Sequence, residues 1–173
     1  MRLFQKRPTR DAGRGLYAGC VAQARRADLY TDLRTPDTVE GRFEQYSLHV
    51  ILVLDRLVRQ GPEAAEVSQG LFDAYIRSLD DALREMGVGD LSVGKKMRRI
   101  GEALYGRLRS YEAAFTGAEG ADPLETILSR TVYEGVESPP VAELAAYVHA
   151  QRDHLAGLPL RGLLEGKIDW SPK

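Results

Sequence analysis

The sequence predicts an all-α fold, a compact single-domain helical bundle of about six helices with short loops. Alanine and leucine together number 41 residues, whereas valine and isoleucine number 17, so strong helix formers far outnumber β-branched residues. Apolar residues recur at spacings of three and four in four segments, and no segment alternates apolar with polar residues. The length of 173 residues and the charged fraction of 28% fit one folded domain rather than a disordered chain.

Two helices are predicted in the first third of the chain. The first spans about residues 11 to 27, and its apolar residues share one face: Leu16, Cys20, Ala24 and Ala27. The second begins after Asp37, which has the spacing of a capping box with Glu40, and it ends before Gly61-Pro62. Its middle, Leu48–Leu54, is apolar on nearly every side, which predicts a central position in the bundle.

Two longer helices are predicted next. The third runs from Pro62 to Met86 and stops at Gly87, which is expected at positive φ. It has a wide apolar face: Phe72, Tyr75, Ile76, Leu79, Leu83 and Met86. Two pairs of opposite charge are expected on its outside: Asp73 with Arg77, and Asp80 with Arg84. The fourth helix is predicted to run from an N-cap at Ser92 to Phe115.

Two shorter helices are predicted near residues 123–133 and 140–155, where proline marks each start. The domain organisation follows from these elements. Residues 11–156 form the helical domain, residues 1–10 form a basic N-terminal segment, and residues 157–173 form a C-terminal tail across the surface.

Candidate catalytic and metal-binding residues are sparse, so the sequence predicts no metal site and no enzyme. His149 and His154 are five residues apart and therefore lie on different helix faces. The lone cysteine, Cys20, is on a predicted apolar face and is interpreted as a core residue. His49 is in an apolar run and is best interpreted as a core histidine bonded to a polar neighbour. An interface anchor beside a partner is the alternative.

One glycine-rich segment comes close to a phosphate-binding loop. Residues 89–96 fit the pattern G-x-x-x-x-G-K, but Lys96 takes the place of the Ser or Thr that would hold magnesium. The segment also follows a predicted helix rather than a strand. A nucleotide-binding enzyme is therefore only an alternative hypothesis.

Positive charge is concentrated on the fourth predicted helix although the net charge of the chain is −1. We define the basic face by five residues: Lys95, Lys96, Arg98, Arg99 and Arg109. It is either a solvated helix face or a docking surface for anionic lipid, ribosomal RNA or an acidic partner. Aromatic residues are not interleaved with these cations, so specific nucleic-acid recognition is not expected.

Several motifs resemble the ubiquinol–cytochrome c chaperone family. Residues 36–44 contain PDT followed by GRFE, and residues 83–93 read LREMGVGDLSV. Lys95-Lys96-Met97 and Tyr105-Gly106-Arg107 continue the pattern. The resemblance covers roughly Leu16 to Phe115.

The resemblance implies a non-enzymatic assembly factor of respiratory complex III that needs no cofactor. Family members bind newly made cytochrome b and protect it while it gains haem, and in mitochondria they act with a small partner protein at the ribosome exit. The chain lacks a long mitochondrial leader, which predicts an alphaproteobacterial protein in the cytoplasm, peripheral at the inner membrane. A eukaryotic member would lie on the matrix side. Use of the ribosome or of the small partner is left open.

The residues expected to contact a client or partner lie mostly within the matching motifs. They are Asp37, Arg42, Phe43, His49, Phe72, Ile76, Val88, Asp90, Tyr105 and Arg107. Val88 and Asp90 are expected at an exposed corner between the third and fourth helices.

Overall fold

The computed structural model describes residues 6–172, with side chains for residues 8–89 and 92–172. Within this range the chain forms eight helices and no strand, which confirms the predicted all-α bundle. The helices are α1 (Lys6–Ala24), α2 (Ala27–Thr31), α3 (Val39–Leu57), α4 (Pro62–Glu85), α5 (Asp90–Thr116), α6 (Leu124–Thr131), α7 (Val141–Gly157) and α8 (Leu160–Leu164). Two of them, α2 and α8, have five residues each and are too short to show an apolar period in the sequence.

Helix α3 is central, as its apolar middle predicts. Leu48, Val50, Leu52 and Val53 are fully buried, and the helix packs against α1, α4, α5 and α7. These four neighbours surround α3 because its apolar side chains point in nearly every direction.

Helices α1 and α4 form the most extensive helix pair in the described part of the chain. Their backbones meet where Gly13 lies against Gly70, so closely that a Cβ atom added at Gly13 would overlap the Gly70 backbone. Farther along, the hydroxyl groups of Tyr17 and Ser78 share a hydrogen bond. Two glycines at one crossing therefore set the distance between these helices.

The first helix has different bounds from those predicted. It begins at Lys6 instead of about Asp11 and ends at Ala24, so Ala27 is exposed rather than on the buried face. The chain leaves the helix because Arg26 adopts an extended conformation and serves as the N-cap of α2.

Two predicted N-caps are wrong, one by a single residue and the other by three residues. The Thr38 side chain caps α3 by accepting a hydrogen bond from the Gly41 amide at 3.1 Å, whereas Asp37 pairs with Arg42. Helix α5 begins at Asp90, so Ser92 lies inside its first turn. The prediction for Gly87 is confirmed, since its φ is 79°.

One of the two charge pairs expected on the outside of α4 is present. Arg84 bonds to Asp80 at 2.7 Å. Asp73 instead accepts a hydrogen bond from the Gln69 side-chain amide at 2.7 Å, and Arg77 has no ion pair within residues 8–89 and 92–172.

The segment after Gly157, expected as a tail across the surface, packs on the bundle. Leu163 on α8 is buried. The Trp170 indole donates a hydrogen bond to the Gly19 carbonyl at 3.2 Å, and the buried Gln151 side chain bonds both backbone groups of Ser171. These contacts hold the C-terminal segment against α1 and α7.

No helix formed by residues 6–172 combines the length and the apolar character needed to span a membrane.

Candidate functional site

An apolar cleft of about 130 Å³ opens between the second halves of α3 and α5. Its apolar lining comes from both helices and from the C-cap of α3: Ile51, Leu54, Val58, Leu108 and Phe115. Asp55 and Glu112 complete the lining. We use the term apolar cleft for these seven residues. A concave, mostly apolar site with a few polar groups is typical of a binding surface.

An arginine from α7 contacts two of the residues that line the apolar cleft. The Arg152 guanidinium bonds to Asp55 at 2.8 Å and lies 4.7 Å from the centroid of the Phe115 ring. It thereby balances the negative charge of Asp55 and restrains the Phe115 ring through a cation–π contact. Glu112 is exposed and has no ion pair among the side chains that the structure describes. The cleft therefore presents one unpaired carboxylate beside apolar surface.

Two apolar residues, one in the cleft and one beside it, are largely exposed to solvent. Val58 is 50% exposed and Tyr105 is 56% exposed. One side of α5 carries three residues at spacings of three and four: Tyr105, Leu108 and Glu112. The Tyr105 ring also packs against Phe72 of α4, with ring centroids 5.7 Å apart. The apolar surface therefore continues from the cleft onto the seam between α4 and α5.

The opposite flank of α5 carries a partly buried ion pair. The Arg107 guanidinium donates two hydrogen bonds to the Glu44 carboxylate, one of them at 2.6 Å, and lies 5.4 Å from the centroid of the Phe43 ring. Burial is the largest single effect and lowers the pKa of Arg107, but the hydrogen bonds to Glu44 and the attraction of its charge together raise the pKa above the ordinary value. This ion pair fastens α5 to α3.

The expected contact residues therefore do not form one patch. Phe72 and Tyr105 meet on one flank of α5, whereas Phe43 and Arg107 meet on the other. Ile76 is half-buried on α4.

Four further expected contact residues lie at or near the ends of helices. Asp37 and Arg42 are exposed and bonded to each other at 2.6 Å, which lowers the pKa of Asp37. Val88 is half-buried in the turn between α4 and α5. The side chain of Asp90 lies outside the described residues.

His49 is a core histidine, which confirms the favoured interpretation over the interface anchor. It is fully buried, its Nδ1–H donates to the Gln45 carbonyl at 2.7 Å, and its Nε2 accepts from the Tyr147 hydroxyl at 2.7 Å. The Trp170 ring packs edge-on against it at 5.2 Å. Burial lowers the pKa of His49 to about 4, so the ring is neutral at pH 7.

The wide apolar face predicted on α4 is used mainly for packing. Tyr75 is fully buried and Leu83 nearly so, while Phe72, Ile76 and Leu79 are half-buried against the core. Met86, at the end of this face, is 55% exposed.

The basic face is solvent-exposed along α5. All five of its residues are exposed, and only Arg98 has an ion pair, to Glu102 at 3.0 Å, among the side chains described. The remaining cations are free to meet an anionic surface.

The described residues contain no group of three or more side chains suited to a metal ion. Cys20 is buried as predicted, and burial raises the pKa of its thiol. Gly89 is the N-cap of α5 and residues 90–96 form its first two turns, after a short link from α4. This setting is unlike the strand-to-helix turn of a phosphate-binding loop.

Sequence reasoning did not identify the apolar cleft. The signal available was the unusually complete apolar surface of α3, which exceeds what a helix with one buried face requires. Among the apolar cleft residues that α3 and its C-cap supply, Leu54 and Val58 stay partly or largely exposed.

Comparisons with known proteins agree with this fold. Residues 31–170 match the sequence model of the family described as ubiquinol–cytochrome C chaperone. A solved structure, described as the crystal structure of the Cbp3 homolog from Brucella abortus, superposes with a TM-score of 0.83. The two chains are 31% identical, and the match covers 96% of this chain and 92% of the other. A search of curated proteins found no significant match. The family match over most of the chain and the close structural likeness establish that this chain belongs to the ubiquinol–cytochrome c chaperone family.

Proposed function

We propose that the protein is an assembly chaperone of respiratory complex III, the ubiquinol–cytochrome c reductase, and that it binds newly made cytochrome b. Family membership and the likeness to the Cbp3 homolog support the assembly role. The apolar cleft is the observation that carries the proposed binding step. An unassembled membrane subunit presents apolar side chains, and burial of one such side chain contributes roughly 1.5–3 kcal/mol.

The chemistry of the cleft fits the end of a membrane-spanning segment. Ile51, Leu54 and Leu108 offer apolar contact, and Glu112 offers an unpaired carboxylate at the same place. Cytoplasmic ends of membrane-spanning helices are rich in Lys and Arg next to apolar residues. A client segment of this kind would place an apolar side chain in the cleft and a cation beside Glu112.

The proposed activity is binding alone, without catalysis and without a cofactor. The basic face supplies a second contact, to the anionic surface of the inner membrane, where each Lys or Arg contributes about 1 kcal/mol. The protein would thus be peripheral on the cytoplasmic side in a bacterium, or on the matrix side in a mitochondrion. The Asp37–Arg42 pair and the turn with Val88 and Asp90 are proposed contacts for the client or a small partner protein.

Docking on the ribosome is a second candidate role, and the unpaired cations of the basic face favour it. Lys95, Lys96, Arg99 and Arg109 would bind ribosomal RNA through phosphate groups, so this binding should weaken steeply as salt rises.

The proposed function is tested by complementation. Cells that lack the chain should contain little assembled complex III, and the wild-type chain should restore it. The double variant Val58→Glu/Tyr105→Glu should not restore it, because two charges oppose an apolar client. The matched control is Ala146→Glu/His149→Glu on the exposed face of α7. Restoration by the cleft variant at the wild-type level would contradict the assignment of the cleft.

A further inference from the structure

Three arginines converge on a groove between α1 and α4, away from the apolar cleft and from the basic face. The groove has a volume of about 80 Å³, which is room for more than one water molecule. Its lining comes from the two helices: Arg10 and Arg14 of α1, and Gly70, Asp73, Ala74 and Arg77 of α4. We call it the arginine groove.

The close crossing of the two helices explains the convergence. Gly70 has no side chain to separate α4 from α1, and a Cβ atom added there would lie 3.0 Å from the Thr9 carbonyl oxygen. Arg10 and Arg14 are one turn apart on α1, so both project from the same side of that helix. Arg77 approaches from α4, and the three side chains border one small space.

Positive charge exceeds negative charge among the residues that line the groove. Arg14 makes one ion pair, with Asp11 at 3.5 Å, in which both side chains are more than 60% exposed. Arg10 and Arg77 have no ion pair with any side chain that the structure describes. Asp73 is the groove's one carboxylate, and it already accepts a hydrogen bond from Gln69. Within the groove lining, three guanidinium groups therefore face one carboxylate, and one of the three also pairs with Asp11 outside the lining.

We propose that the arginine groove binds a phosphate group, either on an anionic lipid headgroup or as free phosphate. A phosphate carries several acceptor oxygens, and the planar guanidinium fork matches them with paired hydrogen bonds. Three such forks around one concavity suit a tetrahedral phosphate, with its several acceptor oxygens, better than a planar carboxylate. The groove is exposed, so a headgroup can reach it from solvent. This inference does not depend on the proposed function.

The test measures binding of two probes to the full chain: vesicles containing phosphatidylglycerol, and inorganic phosphate. The groove variant is Arg10→Gln/Arg77→Gln. Its matched control is Arg59→Gln/Arg161→Gln, which also removes two positive charges, but at surface positions outside the groove. We expect the groove variant to bind vesicles roughly thirtyfold more weakly than wild type, and the control to stay within about threefold.

The two probes separate the sources of the phosphate. Loss of vesicle binding in the groove variant alone identifies a headgroup site, whereas loss of inorganic phosphate binding alone identifies a site for the free ion. Equal losses in the groove variant and the control would overturn the proposal, because net charge would then explain them. Failure of the wild-type chain to bind either probe would also overturn it. The variant Arg10→Lys/Arg77→Lys keeps the charge without the forks and should show an intermediate loss.

Discussion

The Glu44 carboxylate on α3 accepts two hydrogen bonds from the Arg107 guanidinium on α5, although the residues are 63 positions apart in the sequence. The side chains are 8% and 22% exposed, so most of this ion pair is shielded from water. It fixes one flank of α5 against α3, while the apolar cleft and Tyr105 lie on the other flank. The pair thereby sets the position of the helix that forms one wall of the cleft.

Removal of one partner from this ion pair should destabilise the fold. We expect Arg107→Met to lower the free energy of unfolding by about 2–4 kcal/mol, because it leaves the Glu44 charge buried and unpaired. The double variant Glu44→Met/Arg107→Met should recover at least half of this loss. Urea unfolding of the wild type, both single variants and the double variant measures the coupling. Additive losses would mean that the two side chains do not stabilise each other.

The neutral, buried His49 should make stability depend on pH. Its pKa is about 4 in the folded protein and about 6.5 in the unfolded chain, so the unfolded state binds the proton first as pH falls. The contribution of neutral His49 to stability is therefore fully present above pH 6.5 and is lost as the pH falls from 6.5 to 4. Between pH 7.5 and pH 5 this effect amounts to about 2 kcal/mol.

The variant His49→Gln isolates this effect from the carboxylates that titrate in the same range. The loss of unfolding free energy between pH 7.5 and pH 5 should be smaller in the variant than in the wild type by about 2 kcal/mol. Tyr147 and Trp170 contact the ring, and Arg26 is the nearby charge that also lowers its pKa. Identical pH profiles for the two proteins would show that His49 does not titrate as described.

Replacement of a glycine by alanine should lower the free energy of unfolding at one position in α1 and raise it at one position in α5. Gly13→Ala should lower the free energy of unfolding by about 1–3 kcal/mol, because the added methyl group overlaps the Gly70 backbone. Gly106→Ala, where nothing lies within 4 Å of the added atom, should raise it by about 0.4–1 kcal/mol. Thermal and urea unfolding measure both changes. A stable Gly13→Ala protein would mean that α1 and α4 can separate freely.

The basic face should act on docking and not on folding. Reversal of Lys95, Arg98 and Arg99 to Glu should abolish salt-sensitive sedimentation with ribosomes and should weaken sedimentation with anionic vesicles, to which the arginine groove is also proposed to bind. The melting temperature should change little, because Arg98 has only a surface ion pair worth about 0.3–0.5 kcal/mol. If the wild-type chain sediments with neither partner, the basic face is only a solvated surface.

The parts of the fold that depend on local spacing could be predicted from the sequence. The 3–4 pattern of Leu104, Leu108 and Tyr111 predicts α5, and the apolar run Leu48–Leu54 predicts a central α3. The start of α5 could not be predicted as well, because Ser92 is a good N-cap residue but the turn at Gly89 begins the helix earlier.

The candidate site depends on contacts between distant residues and was largely hidden in the sequence. The periodic face of α4 suggests that Phe72 is available to a client, but its partner is Tyr105 on the next helix. Glu44 pairs with Arg107, which lies 63 positions later in the sequence, and no local sequence pattern predicts such a pair. The positions of α5 and Arg152 against α3 determine which apolar residues of α3 stay partly exposed.

Photocrosslinking in cells tests directly whether the apolar cleft binds newly made cytochrome b. A photoreactive amino acid at Val58 or Tyr105 should capture cytochrome b during its synthesis, since both positions are exposed beside the cleft. The same amino acid at His149, on the exposed face of α7, is the control and should capture far less. Cytochrome b should be captured at the two cleft positions and not at the control position. Equal capture at all three positions, or capture at His149 alone, would contradict this expectation.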